Sequence, residues 1–163
     1  MDARTIIALD PSSRVVGFAV YQGGHYLECG LLTPRDRKAS VPERVANLCS
    51  EARSLVRDIR PDVIVVEVMA GRQYASKASG RTTALPPCAF ASGAVWQACQ
   101  YVNDVAAQVD AVLNTDWTRG ISKAKRQIVA KRLYHPYDPK QDRGADASDA
   151  LCLLDWWLRR NPA

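Results

Sequence analysis

Two short runs of uninterrupted apolar residues, each ending on an acid, constrain this chain more than any other feature. Thr5-Ile6-Ile7-Ala8-Leu9 leads into Asp10, and Val63-Ile64-Val65-Val66 leads into Glu67. Runs this short, β-branched and free of polar breaks, read as strands covered on both faces. Between them, Ser40-Val41-Pro42-Glu43 sets up a helix start, with Ser40 as cap and Glu43 at the reciprocal position. Val45, Leu48, Cys49, Ala52, Leu55, Val56 and Ile59 follow at helical spacing, and Arg60-Pro61 stops them. A strand, a helix and a strand in that order imply a crossover, with the two acid-tipped strands paired in parallel.

The remaining segments fill in an α/β pattern. Residues 15–21 and 26–32 read as two strands joined across Gln22-Gly23-Gly24, an antiparallel meander with the first strand. Residues 70–87 change character: Gly71, Gly80, Pro86 and Pro87, with Arg72, Lys77 and Arg81, read as a basic loop. A second helix is expected over about 88–106, a fifth strand over 109–113, a basic helix over 122–134 and an irregular link over 135–144. A last helix over about 146–160 carries Ala147, Ala150, Leu151, Leu154 and Leu158 on its core stripe. With 163 residues, 47% of them hydrophobic, and no internal repeat, the expectation is one α/β domain over residues 1–163. No apolar run approaches the roughly 20 residues needed to span a bilayer. No targeting leader is visible at the start, so no membrane partner and a cytoplasmic location are expected. The five cysteines are odd in number, scattered and without zinc spacing, which favours buried thiols over disulfides or a zinc site. Lys and Arg number 22 against 17 Asp and Glu, a net charge of +5 that suits a polyanionic partner.

Three acidic features stand where a packed core should not want them. Asp10 and Glu67 end neighbouring parallel strands and so share one sheet edge, the carboxyl end, outside which the sites of α/β sheets lie. Asp146 and Asp149 open the last helix at i, i+3 spacing, on one face. Each alone has a plainer reading. Asp10 before Pro11-Ser12 could make an Asx turn, Asp146 and Asp149 could cap their helix, and Glu67 could sit in a buried ion pair. Together they form a set that would repel itself unless a cation neutralised it. Oxygen ligands without His or Cys select Mg²⁺, with Mn²⁺ able to substitute. A metal pair roughly 3.5–4 Å apart would clamp the attacking and leaving oxygens of a phosphodiester.

These segments resemble the RuvC family of Holliday junction resolvases, in the ribonuclease-H-like superfamily. Ile7-Ala8-Leu9-Asp10-Pro11-Ser12-Ser13-Arg14-Val15-Val16-Gly17 is similar to the family's first hairpin with its first catalytic Asp. Pro61-Asp62-Val63-Ile64-Val65-Val66-Glu67 is similar to the segment with the catalytic Glu, and Ala145-Asp146-Ala147-Ser148-Asp149 to the final acidic pair. Lys125-Arg126-Gln127-Ile128 is similar to a basic helix start placed near the scissile phosphate. The resemblance implies a five-stranded mixed sheet, three antiparallel strands then parallel ones, flanked by helices. It implies a homodimer that cuts opposing strands of a four-way DNA junction, with Asp10, Glu67, Asp146 and Asp149 as catalytic metal ligands and Lys125 as a catalytic cation. Two features depart from the pattern. The aromatic expected after the Glu motif is replaced by Val68-Met69-Ala70, leaving Met69 or Tyr74 to open the junction. The basic residue expected near the end of the fifth strand is absent from Leu113-Asn114-Thr115-Asp116, with Arg119 to compensate. The short, divergent form suggests a phage-type member working in a bacterial or phage-infected cell.

Arg119, Lys123, Lys125, Arg126, Lys131 and Arg132 gather positive charge around one helix and, with Arg72, Lys77 and Arg81, are the expected contacts to the DNA backbone. Two other functions share parts of this pattern. One is a ribonuclease-H-like nuclease for RNA–DNA hybrids or flaps, and the other a silent junction-binding protein. The intact acid set argues against silence, because repulsive carboxylates beside a phosphate track serve no pure binder.

Overall fold

The computed structural model describes residues 4–69, 85–118 and 121–162. β1 (Thr5–Pro11), β2 (Val16–Gln22) and β3 (His25–Leu32) form the meander, and α1 (Val41–Ile59) leads to β4 (Val63–Val68). Then come α2 (Leu85–Gln100), β5 (Gln108–Leu113), α3 (Asn114–Trp117), α4 (Lys123–Leu133) and α5 (Asp146–Arg160). The strands lie in the order β3-β2-β1-β4-β5, antiparallel across β1 to β3 and parallel from β1 to β5. Gly23 and Gly24 make the β2–β3 turn with φ of 57° and 92°, values that an L side chain rarely adopts.

Side-chain alternation divides the core in two. Ile7 and Leu9 of β1 with Ile64 and Val66 of β4 face Leu48, Ala52 and Val56 of α1 and Val95 of α2. Ile6 and Ala8 with Val63 and Val65 face Ala147, Ala150, Leu151 and Leu154 of α5. Continuing that alternation by one step puts Asp10 and Glu67 on the α5 face, at the point where each strand runs out of apolar neighbours. The register supports it: Leu9 pairs with Val66, so Asp10 and Glu67 are the next residues along adjacent strands. Glu43 accepts hydrogen bonds from the Ser40 backbone N–H and hydroxyl, which fixes the start of α1, and Arg60 in the left-handed region, before Pro61, ends it.

Some boundaries differ from the sequence expectation. α2 starts at Leu85, so Pro86 and Pro87 belong to its first turn, where the missing N–H groups had no helical partner to lose. It stops at Gln100 rather than 106. Val102 and Val105 keep helical spacing, but they pack on the core from a turn in which Asp104 takes a φ of 66°. The short helix α3 was not expected at all. The five cysteines are free thiols, but only Cys99 and Cys152 are buried, with Cys29, Cys49 and Cys88 half-buried. Tyr101 is 70% exposed, whereas Trp157 is buried and donates to Asp110 at 2.9 Å. No helix among the described residues is long and apolar enough to cross a membrane.

One close approach sets the site. Gly17 of β2 pairs with Asp10 and lies directly under the first turn of α5. A Cβ on Gly17 would stand 2.0 Å from the Asp146 carbonyl oxygen and 3.0 Å from the Ala147 nitrogen. Only glycine lets the helix backbone rest on the sheet there. Because a helix backbone cannot swing aside as a side chain does, Gly17→Ala is expected to cost about 1–3 kcal/mol in urea unfolding. An unchanged midpoint would mean that α5 is not seated on β2.

Candidate active site

The carboxyl ends of β1 and β4, the start of α5 and the start of α4 enclose a cleft of about 430 Å³ lined by Asp10, Glu67, Asp146, Asp149, Lys123 and Arg126. The four predicted carboxylates are thus brought together. Asp10, Glu67 and Asp149 are buried and Asp146 is half-buried. Burial raises the Asp10 carboxyl well above its ordinary range, reinforced by Glu67, Asp149 and Asp146, with Lys123 pulling the other way. Burial likewise lifts Glu67, as does the Asp149 charge, against the Trp117 indole that donates to it and a hydrogen bond shared with Asp10. Asp146 and Asp149 are also raised, again chiefly by burial. The cleft stores mutual repulsion among anions withdrawn from water.

Three neighbours hold these acids in place. Trp117, on the unforeseen α3, donates its indole N–H to Glu67 Oε2 at 2.8 Å. Arg126 of α4, buried, grips Asp149 with two donors, Nε to Oδ1 at 2.5 Å and Nη2 to Oδ2 at 3.0 Å. Its third donor, Nη1, reaches the Ile121 carbonyl at 2.6 Å, and its guanidinium lies 5.5 Å from the Trp117 ring centroid. Asp149, Arg126, Trp117 and Glu67 therefore form one connected chain across the cleft. Asp142, in the link before α5, does the capping that was the plainer alternative reading of Asp146 and Asp149. It accepts from the Ala147 and Ser148 backbone N–H groups at 3.1 and 2.9 Å and from the Tyr137 hydroxyl at 2.8 Å. With Asp142 serving the helix end, Asp146 and Asp149 are left to face the cleft.

The basic residues fall out differently from expectation. Lys123 and Arg126 line the cleft, but Lys125 does not. Positions i and i+3 share a helix face while i+2 points away, so the cleft-facing cation at the head of α4 is Lys123, and Lys125 is exposed. Lys123 Nζ donates to the Gly144 carbonyl at 2.8 Å, tying α4 to the link before α5. Arg126 is an internal partner of Asp149, not a free phosphate contact. Lys131 and Arg132 are both exposed, and Lys131 gives its ammonium to the His135 and Tyr137 carbonyls. Met69 is half-buried in the cleft wall, its sulfur accepting from Asn114 Nδ2 at 3.7 Å. Arg72, Tyr74, Lys77, Arg81 and Arg119 lie outside the described residues.

Among the described residues, no three His, Cys, Asp or Glu side chains are gathered as ligands around one point. The donor chemistry still fits a hard divalent cation: four carboxylates and no imidazole, withdrawn from water and raised chiefly by burial, with the Cys88 thiol as the one soft group on the cleft wall.

No family model matches the chain, and no curated protein matches it by sequence. Among solved structures it is similar to Thermus thermophilus RuvC in complex with Holliday junction substrate, with a TM-score of 0.65 and 15% identity over 98% of each chain. A second Thermus thermophilus RuvC structure gives 0.63 and 16% over 96% of each chain. Likeness across nearly the whole of both chains, together with the strand order above, makes this a RuvC-like, ribonuclease-H-like fold.

Proposed function

We propose that the chain is a metal-dependent endonuclease that resolves four-way DNA junctions by paired phosphodiester hydrolysis on opposing strands, acting as a homodimer. The observation that carries this reading is the convergence of Asp10, Glu67, Asp146 and Asp149 on one cleft at the carboxyl edge of a RuvC-like sheet. Asp10, Glu67, Asp146 and Asp149 would hold Mg²⁺ or Mn²⁺, which supplies charge stabilisation to the attacking and leaving oxygens when bound. The protein's own residues do the placing. Trp117 orients Glu67, Arg126 orients Asp149, and Asp142 with Gly17 seats the helix from which Asp146 and Asp149 project. Lys123 adds a positive charge on the wall that a phosphate would meet. A four-way junction has near two-fold symmetry, which an isologous dimer matches with two clefts. Phe90, 51% exposed, and Tyr101, 70% exposed, give the α2 side apolar surface for such a contact.

The direct test incubates the protein and Mg²⁺ with end-labelled four-way, flap and RNA–DNA hybrid substrates, alongside sedimentation at the same concentration. Symmetric paired cuts in the junction by a dimer are expected. Cleavage confined to hybrids or flaps would favour the wider ribonuclease-H-like reading, and junction binding without cuts would favour a silent binder.

A further inference from the structure

A second hollow, of about 590 Å³, adjoins the carboxylate cleft and is lined by Arg14, Arg37, Arg44, Lys140 and Arg143 with no acidic residue among its lining. Arg14 comes from the β1–β2 turn, Arg37 from the β3–α1 connection, and Lys140 and Arg143 from the link before α5. Five cations thus meet from segments far apart in sequence. Arg44, on α1, is the brace: its guanidinium donates to the Ser13 and Ala39 carbonyls at 3.0 and 2.5 Å and fixes the turn against the connection. The other four side chains are exposed, and none makes a hydrogen bond or ion pair among the described residues. The nearby acids are spent on backbone: Asp36 accepts from the Lys38 N–H, Asp138 from the Lys140 N–H, and Asp142 caps α5. Lys123, Arg126 and Lys131, by contrast, are tied to protein oxygens.

We propose that this groove is a second binding site, for the sugar-phosphate backbone of DNA, with Arg14, Arg37, Lys140 and Arg143 as its phosphate contacts. The two hollows are lined by neighbouring residues of the same two segments. Ser12 lines the cleft and Arg14 the groove on one turn, while Gly144 lines the groove two residues before Asp146 in the cleft. A strand with one phosphate at the carboxylates continues into the groove without leaving the surface. The groove also answers an electrostatic problem, because four clustered acids repel the phosphate they would act on and adjacent free cations offset that repulsion. Four exposed, spread cations on an open groove suit a row of phosphates rather than one enclosed anion. The path of the strand rests on the nuclease reading; the binding of DNA backbone by the groove does not.

The experiment uses the full chain in metal-free buffer, with fluorescein-labelled four-way junction and linear duplex of the same arm sequence, titrated across a salt series. Arg14→Ala/Arg143→Ala and Arg37→Ala/Lys140→Ala are compared with Arg57→Ala/Arg60→Ala, which removes two exposed cations at the opposite end of α1. Each groove variant is expected to lower the slope of log affinity against log salt by about 2 units, equally for both DNAs, with the control changing it by well under 1. Melting curves of the groove variants should match wild type, since Arg14, Arg37, Lys140 and Arg143 give up no side-chain bond. Groove variants that match the control overturn the proposal, as does a wild-type protein that binds neither DNA. Reduced slopes in a protein that cuts no junction keep the groove and remove the nuclease reading. Junction cutting with unchanged slopes does the reverse.

Discussion

Asp10→Asn is expected to lower the single-turnover rate of junction cleavage by on the order of 10³-fold while leaving metal-free junction affinity at or above that of the wild type. The rate falls because the substitution removes one of four oxygen donors at the site of charge development. Affinity holds because it also removes a negative charge facing a polyanion. Stability is expected to move the opposite way from activity. In the folded chain Asp10 and Glu67 take up protons more readily than in the unfolded chain, since burial raises both, reinforced at Asp10 by the Glu67 charge and at Glu67 by the Asp149 charge. A carboxyl raised on folding stabilises the fold while protonated and loses that contribution as pH rises. For Glu67 the window runs from its ordinary 4.5 up to about 7. Metal-free wild-type protein should therefore melt lower as pH rises through that window, and Asp10→Asn should melt higher than wild type at its upper end. Each kcal/mol relieved corresponds to about 2–4 °C for a chain of this size. An Asp10→Asn protein that melts no higher than wild type near neutral pH would show that the buried Asp10 charge does not destabilise the fold. One that cuts at the wild-type rate would remove Asp10 from the site.

The parts of this site that follow from strand parity were legible in the sequence. An apolar run ending on an acid fixes both the sheet edge and the face, so Asp10 and Glu67 could be placed beside each other before any coordinates were known. The i, i+3 spacing of Asp146 and Asp149 worked for the same reason, because it needs only one element. What failed needed the angle at which one element meets another. Lys123, Lys125 and Arg126 look alike as a basic helix start. Which of them reach the cleft depends on how α4 is turned against α5, and that is set by the Arg126–Asp149 pair and the Lys123–Gly144 bond. Trp117 carried no signal because Asn114-Thr115-Asp116-Trp117 has neither the length nor the periodicity of a helix. Asp142 was hidden inside a stretch that reads as an irregular link, where one acid caps α5 from four residues before its first. The basic groove was invisible for the same cause: its five cations are scattered over four separate segments, and only the fold assembles them.

The pairing of Arg126 with Asp149 carries the other large expected effect. Both side chains are buried, at 7% and 6% exposure, and the guanidinium spends three donors on Asp149 and the Ile121 carbonyl. Arg126→Met keeps the length and packing of the side chain but leaves Asp149 without its partner in a low-dielectric cleft. A loss of about 3–5 kcal/mol in urea unfolding is expected, the usual cost of stranding half of a buried pair. Asp149→Asn strands the guanidinium instead and should also destabilise. Combining the two removes both charges, so the double variant should be more stable than the sum of the single losses by about 0.5–3 kcal/mol. Simple additivity would mean that the two residues do not act as a unit. Cleavage separates placement from charge count, because Arg126→Met retains all four carboxylates. If Arg126 serves to aim Asp149, the saturated rate per folded molecule should fall even so. Arg126→Lys, which keeps the charge but not the forked geometry, should fall between the two. A full rate from folded Arg126→Met would leave the pair a purely structural tie between α4 and α5.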